Sequence, residues 1–398
     1  MQSSSGGPHI PPRALRVLVI ISGGTNWGGA PVSAESEAAL LKAHGHDVHL
    51  IKAREEDSES RSLLDKTRSA LWNRSVQRRI YELVGDLRID VVHVQQVMPD
   101  WPLSVYAGAW RAGAATVHHL RNWLLLCVNH KLVRNGGACE DCVGKVAWRG
   151  VLHGCWDGRR LDSAAHLYTQ LRSRSALRYI SAFIVMTKHS RRLFARGGIP
   201  TERMHLKPNF VFDPLGSSGS AGCGRGAVFA GRLAPVKGLN TLMAAWRRLR
   251  SDVPLTVVGD GSLRAPMEAE AGAAGLPIEF RGRVPHQDAM RAIQEAAFLV
   301  MPSEWYETFG RTTIEAFACG RPVIASRIGP IEELVDAGRT GWIYEPGDAD
   351  GLARAVEEAV TDPEECARRG TEAREEYRAR YGPEWNYELL MDTFRHAI

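Results

Sequence analysis

The stretch Phe298-Leu-Val-Met301-Pro-Ser-Glu-Trp-Tyr-Glu307-Thr-Phe-Gly310-Arg311-Thr-Thr-Ile-Glu315-Ala-Phe-Ala-Cys319-Gly320 reads as strand, loop and helix. Four apolar residues in a row, without polar alternation, mark a strand covered on both faces, as in a parallel sheet. Gly310 permits a close backbone approach at the start of a helix that runs to about Cys319. Amides at that start point outward, and the helix dipole adds partial positive charge, so the N-terminus suits a phosphate. Glu307 precedes the helix and Glu315 lies one to two turns inside it. The two carboxylates can therefore reach different parts of one extended ligand, accepting hydrogen bonds from hydroxyls. Taken alone, the pair is equally a helix-start charge and a solvated glutamate.

Outward from this stretch the same unit repeats. Strands are expected at Ala227–Ala230, Leu255–Val258, Ile278–Arg281, Phe298–Met301 and Pro322–Ala325, with helices between them. An earlier series runs through Leu15–Ile21, Val48–Lys52, Asp90–Val94, Ala115–His118 and Ala182–Met186, with helical patterns such as Pro31–His44 and Asn73–Leu87 in the gaps. Apolar runs alternating with helices imply an α/β architecture with parallel sheets. Lys207-Pro208-Asn209 and the Gly/Ser-rich Leu215–Gly226 separate the series. The division expected is a leader over 1–12, a first Rossmann-like domain over 13–210 with a Cys-rich insertion at 120–160, a linker at 211–226 and a second domain over 227–382. A final helix over 383–398 is a candidate to cross back to the first domain. Ligands of doubly wound sheets sit beyond the carboxyl ends of the strands, so a cleft between the domains is the default site.

Three further loops sit after strands on the same edge of the second sheet. Phe229-Ala-Gly231-Arg232-Leu-Ala-Pro-Val-Lys237-Gly238 brings two cations, Gly259-Asp260-Gly261 a tight turn, and Phe280-Arg-Gly282-Arg283-Val284-Pro285 a third approach. With the spaced glutamates and Gly320-Arg-Pro-Val-Ile-Ala-Ser326, the segment from about Ala227 to Thr361 resembles the donor domain of family-4 retaining glycosyltransferases, which share the two-domain GT-B fold. The resemblance implies that Arg232 and Lys237 bind the donor diphosphate, that Glu315 holds the ribose hydroxyls and Glu307 those of the transferred sugar. It further implies that Gly310 and Arg311 offer backbone amides to the phosphate, that Gly231 and Thr312 also bind the donor, and that Arg283 and Val284 lie beside the base.

In the first half, Ser22-Gly-Gly-Thr-Asn-Trp27-Gly28-Gly29-Ala-Pro31 opens a helix, but its spacing is not G-x-G-x-x-G, and no acidic residue ends the second strand. A dinucleotide fingerprint is poorly supported. The resembled family has a glycine pair here facing the donor phosphate, which would be Gly28 and Gly29; a turn with conformational glycines is the plain alternative. Val91-Val92-His93 resembles the family's strand-end histidine. Thr116-Val-His118-His119-Leu120-Arg121 resembles its Thr-x-His-(Asn/Asp)-aromatic-Arg segment, making His118 the active-site histidine. His119 and Leu120 depart from that pattern, so the choice between His118 and His119 stays open.

Four of seven cysteines crowd one segment: Cys127, Cys139, Cys142 and Cys155. Cys139-Glu-Asp-Cys142 is a C-x2-C pair with a flanking cysteine on either side, a spacing that can close a tetrahedral zinc site. An iron–sulfur cluster takes the same ligands; buried free thiols and a disulfide are the other readings, and His130 and His153 can replace a ligand. The cluster is read as structural. Cys223, Cys319 and Cys366 are isolated.

Apolar residues make up 44% and charged residues 24%, a folded-protein composition. Residues 1–12 lack an apolar core, so they read as a disordered leader and not a signal peptide. No run approaches the ~20 residues of a spanning helix. The expected location is cytoplasmic, with peripheral contact at the inner membrane face. Net charge is +5, and the excess lies in residues 101–214, where 17 basic residues face 6 acidic ones. Such a field favours a phospholipid surface or a phosphorylated acceptor, or it is a solvated Arg-rich face; nothing resembles an aromatic-interleaved nucleic-acid binder. The resemblance implies metal-independent transfer of a hexose-type sugar, with retention, from a nucleotide-sugar donor (UDP mildly favoured) to a hydroxyl acceptor: a cell-surface glycan, a lipid-linked glycan or a secondary metabolite. A GT-B-fold nucleotide-sugar epimerase and a non-catalytic nucleotide-sugar binder are the rivals, with a nicotinamide oxidoreductase third.

Overall fold

Arg16–Ile21 forms β1 because its Val17-Leu-Val-Ile-Ile21 side chains are apolar on both faces and both faces are covered. In the computed structural model the described residues are 13–21, 29–52, 72–96, 101–216 and 224–398. The expected leader 1–12, the loop 22–28 with Gly28, and residues 217–223 of the expected linker with Cys223 lie outside them.

The first sheet joins β1 to β2 (Asp47–Lys52), β3 (Val91–Val94), β4 (Ala115–His119), β7 (Ala182–Val185) and β8 (Met204–Leu206), in the order β2-β1-β3-β4-β7-β8. The second contains β9 (Ala227–Ala230), β10 (Leu255–Val258), β11 (Ile278–Gly282), β12 (Phe298–Met301), β13 (Val323–Ser326) and β14 (Gly341–Tyr344), in the order β11-β10-β9-β12-β13-β14. All pairings in both sheets are parallel. The α/β class and two doubly wound units expected from the sequence are therefore present. The edge strands β8 and β14 fall outside the sequence reading: Met204-His-Leu206 and Gly341-Trp-Ile-Tyr344 lack the run of aliphatic residues that marks the inner strands. A two-residue hairpin, β5 (Val133–Arg134) with β6 (Gly137–Ala138), sits apart in the cysteine segment.

In the second sheet the order reverses between β9 and β12. Loops leaving these neighbours run to opposite faces of the sheet, and the crevice between them is where doubly wound folds bind ligands. The first sheet has its own reversal between β1 and β3.

The chain ends in the helix Pro383–Ala397, which crosses to the first domain. Tyr387, Leu390, Met391 and Phe394 are buried against Val17, Val19, Val117 and Ile184. Tyr387 also stacks on His44 and bonds His46 Nε2 at 2.9 Å, and Asn386 Nδ2 donates to the Pro208 carbonyl at 2.6 Å. The residues just after Asn209 are tied to the preceding helix, Pro363–Arg380: Tyr377 Oη donates to the Val211 carbonyl at 2.8 Å, and Arg374 pairs with Asp213 at 2.7 Å.

Candidate active site

The loop after β9 and the loop after β12 meet at the second sheet's reversal. Gly238 makes this contact possible: its φ is +67°, and a Cβ there would stand 1.7 Å from the Pro302 carbonyl oxygen. The close approach brings Lys237 Nζ to 2.5 Å from Glu307 Oε1, which also accepts from Ser303 Oγ at 2.9 Å and Trp305 Nε1 at 2.8 Å. Burial alone would raise the Glu307 pKa; the Lys237 ammonium and the three donors overcome it and hold the carboxylate below its ordinary range. Arg232, in the same loop, is exposed, and its guanidinium pairs with no carboxylate among the described residues.

Gly310 caps the helix Arg311–Ala318 with φ +93°, where a Cβ would meet Ile331 Cδ1 at 2.5 Å. No side chain caps this N-terminus, which leaves its first amides to a ligand. Arg311 Nε donates to Glu315 Oε1 at 2.8 Å, and His286 Nε2 stands 3.7 Å from the same oxygen. Thr312 Oγ1 reaches the Ala230 carbonyl at 3.4 Å. Gly231 lies at the end of β9; Arg283 is exposed and Val284 half-buried after β11. The structure thus brings Lys237 to Glu307, and Arg311 and His286 to Glu315, on segments that follow strands of the second sheet.

The other domain closes over these segments. Arg311 Nη1 donates to Ser33 Oγ at 2.9 Å, Trp123 Nε1 to the Tyr306 carbonyl at 3.0 Å, and Ser190 Oγ to the Thr308 carbonyl at 3.4 Å. Glu333 accepts the amides of Lys188 and His189 at 2.8 and 2.9 Å, placing a negative charge at the N-terminus of the helix Lys188–Arg196. Gly29 begins the first helix, Gly29–Ala43.

His118 and His119 have different surroundings. His118 keeps partial exposure and lines a pocket with Gln95, Leu103, Tyr106, Arg121 and Leu124. Its Nδ1 is 2.6 Å from Tyr106 Oη. Burial and the nearby His93 push its pKa down to about 3, so the ring is neutral at neutral pH. His119 also borders this pocket but is itself fully buried. It lies parallel to His93 with ring centroids 6.0 Å apart, and neither of its ring nitrogens has a hydrogen-bond partner.

Beneath the pocket lies a charge cluster that the sequence reading did not assemble. Glu37, 1% exposed, accepts from Lys207 Nζ at 2.7 Å, from Arg121 Nη2 at 3.3 Å and from Gln95 Nε2. Arg121 also donates to Gln95 Oε1 at 2.7 Å and Asn209 Oδ1 at 3.0 Å. Burial would raise the Glu37 pKa, yet Lys207, Arg121 and His93 pull it down to about 2. The ligand atoms of Glu37, His93 and His119 lie within 4.8 Å of one another, but the buried Lys207 ammonium already supplies the cation. The clue in the sequence is a carboxylate set among Ala34, Ala38 and Leu41 on the apolar stripe of a helix.

No disulfide joins Cys127, Cys139, Cys142 and Cys155 in this structure. The segment carrying them also touches the crevice: Glu140 accepts from Tyr306 Oη at 2.9 Å and from Arg196 Nη1 at 2.5 Å. His130 and His153 lie in the same segment; His130 packs on Trp156 and His166.

Comparison with known proteins agrees with this architecture. Residues 27–212 match the family described as Glycosyltransferase Family 4, and residues 221–376 that described as Glycosyl transferases group 1. A glycogen synthase of Mycobacterium tuberculosis is 35% identical over 153 residues, 37% of each protein. The 2-deoxystreptamine N-acetyl-D-glucosaminyltransferase of Streptomyces fradiae is 33% identical over 178 residues, 43% of this chain and 42% of that one. The match thus spans about two fifths of these relatives' length. Among solved structures, Anabaena HepE in complex with UDP and glucose superposes with a TM-score of 0.68 at 18% identity, over 96% of this chain and 99% of that one. A glycosyltransferase from Rickettsia africae gives 0.69 at 16% identity, over 97% and 99%. The solved structures show the same two-domain fold, and the two consecutive family matches, one on each domain, identify the chain as a glycosyltransferase of the family 4 and group 1 type.

Proposed function

We propose that the protein transfers a hexose-type sugar, with retention, from a nucleotide-sugar donor to a hydroxyl acceptor, without a catalytic metal. The observation that carries this reading is the crevice at the β9/β12 reversal, where Lys237, Glu307 and an uncapped helix N-terminus converge beside Arg311 and Glu315. Breaking the sugar–phosphate bond leaves charge on a diphosphate. Lys237, Arg232 and the amides at Gly310 and Arg311 would take up that charge; one preorganised donor of this kind contributes ~3–4 kcal/mol in the transition state. Glu307 would exchange its Lys237 contact for hydroxyls of the transferred sugar, and Glu315 would hold the ribose. Gly231 and Thr312 border the phosphate site, Arg283 and Val284 the base, and Gly28 and Gly29 would close over the phosphate from the first domain. The acceptor hydroxyl would attack from the face the diphosphate leaves, its proton passing to the departing phosphate oxygen. His118, neutral and beside the pocket, would bond the reacting sugar as a neutral partner.

A uridine nucleotide is favoured by the HepE structures solved with UDP and with UDP-glucose. The acceptor would approach from the first domain's side of the cleft. Among the described residues no helix is long and apolar enough to cross a membrane. We place the protein in the cytoplasm, with the basic residues of 101–214 available to an anionic membrane face; no nucleic-acid partner is proposed.

Thermal shift against UDP-, GDP-, ADP- and dTDP-sugars in EDTA tests the donor. A ligand at 100 times its Kd adds ~2.7 kcal/mol of stability, and a selective shift is expected for one base. Under the same conditions Lys237→Ala and Arg232→Ala should each lower turnover about 100-fold or more. Turnover at the unsubstituted level in both variants would overturn the assignment.

A further inference from the structure

The closing helix Pro383–Ala397 carries an apolar stripe and a polar remainder. Tyr387, Leu390, Met391 and Phe394 are buried against the first sheet, and that burial fixes how the helix is turned. Asp392 and His396 fall outside the stripe, with side chains 55% and 60% exposed. Four residues apart, they are neighbours on the helix surface, and His396 Nδ1 stands 3.5 Å from Asp392 Oδ1.

The sheet supplies a third group. As an edge strand, β8 pairs on one side only, with Phe183–Val185 of β7. His205 at its centre is half-buried, and its ring lies 5.1 Å from that of His396 between centroids. One ligand atom each from His205, Asp392 and His396 falls within 4.8 Å of the other two. A tetrahedral ion with bonds of ~2.0–2.1 Å sets its ligands about 3.4 Å apart. These side chains therefore need to close by no more than about 1.4 Å, a movement that exposed rotamers make freely. The four crowded cysteines offer no such group, since no three of their sulfurs lie within 4.8 Å of one another.

The hydrogen bonding of His396 suits a ligand. Its Nδ1 is 2.8 Å from the Asp392 carbonyl. A carbonyl can only accept, so in the neutral ring the proton sits on Nδ1 and the lone pair on Nε2. Metal-bound histidines are held in this way, one ring nitrogen donating to a carbonyl and the other binding the ion. We propose that His205, Asp392 and His396 bind one zinc ion, which staples the last turn of the closing helix to the edge of the first sheet. Two imidazoles and one carboxylate suit zinc, whereas magnesium and calcium take oxygen ligands. Water completes the shell, because two of the three ligands face solvent. The site belongs to the first sheet's edge and does not depend on the transferase reading.

Titration calorimetry of the chelator-treated full chain with Zn2+ tests this, beside His396→Ala and Asp392→Asn treated alike. Both substitutions fall on exposed side chains, so without metal each variant should melt with the unsubstituted chain. The unsubstituted chain should bind about one zinc ion more than His396→Ala. Asp392→Asn should weaken that site roughly tenfold or more. Zinc held elsewhere, by the cysteines for instance, is common to all three chains and cancels. Equal stoichiometry and affinity in the three overturns the site, as does an equal response to Mg2+. Zinc should also slow amide hydrogen exchange over residues 390–398 severalfold in the unsubstituted chain. Binding with that exchange unchanged overturns the staple. If a variant does not fold, the zinc-dependent exchange of the unsubstituted chain decides alone.

Discussion

The two domains are built on the same kind of sheet but keep their charges in different places. In the second, Lys237 and Glu307 follow the strand ends and Arg311 and Glu315 lie in the helix that comes next, with side chains 10–17% exposed. In the first, Glu37, His93, His119 and Lys207 are at most 1% exposed. A charge at a cleft rim can trade its protein partner for a ligand at little cost. A buried charge cannot, because losing its partner leaves an ion without solvent or counterion. One sheet therefore presents exchangeable charges, while the other uses fixed charges to lock a platform under the His118 pocket.

The sharpest way to break this contrast is Glu37→Gln. It leaves Lys207 buried without its counter-charge and replaces one of the two carboxylate oxygens, which together accept from Lys207, Arg121 and Gln95, by an NH2 donor. Such a loss costs about 3–5 kcal/mol, read as a drop in urea-unfolding stability at pH 7.5. Arg232→Ala, at an exposed and unpaired side chain, should stay within about 0.5 kcal/mol. If both substitutions gave the same small change, the buried cluster would not be the lock described.

Acid should separate the domains next. Burial lowers the pKa of His93 to about 4, although Glu37 opposes it, and that of His118 to about 3. Both lie below the unfolded value of about 6.5. The unfolded chain therefore takes up protons that the folded chain refuses. The stability these neutral rings allow is complete above about pH 6.5 and falls as pH drops toward the folded values; at pH 5 each ring forfeits ~2 kcal/mol. Glu37, held near 2, adds its own loss only below about pH 4.5. Between β9 and the end of the Pro363–Arg380 helix the only histidine is His286, and it is exposed. Pulse proteolysis in urea at pH 7.5, 6 and 5, with fragments identified by mass, should show the first domain opening before the second as pH falls. Simultaneous opening would show that the domains share one cooperative unit.

The second domain was also the more legible one. Its strands are continuous apolar runs, and its site residues follow strand ends within a few positions, so local reading placed Lys237, Gly310 and Glu315 around one crevice. The first domain's cluster draws Glu37 from a helix, Gln95 and Arg121 from strand ends, and Lys207 and Asn209 from the connection after β8. No local pattern joins residues so far apart; only the sheet order does. The Glu140–Tyr306 and Glu333–Lys188 contacts were illegible for the same reason, since each depends on how the two domains meet. The neighbouring histidines show the limit at its finest: a one-residue step along β4 leaves His118 at the pocket and His119 without a hydrogen bond.

Glu333→Gln offers the smallest effect and measures the seam between the regions. Glu333 is exposed, and Thr187 already caps the Lys188–Arg196 helix through the Ser190 amide. The substitution keeps one acceptor oxygen, gives up the other with one of the two amides, and removes the interaction of a full charge with the helix dipole, a charge effect worth about 0.3–1 kcal/mol and screened by salt. Differential scanning calorimetry at low ionic strength should show the transition of the first domain, which owns that helix, move down by a degree or two. The transition of the second domain should stay in place, and 0.5 M salt should shrink the difference. If both transitions moved together, the seam would transmit stability as a packed core does, and Lys237 and Glu307 would then depend on the first domain for their geometry.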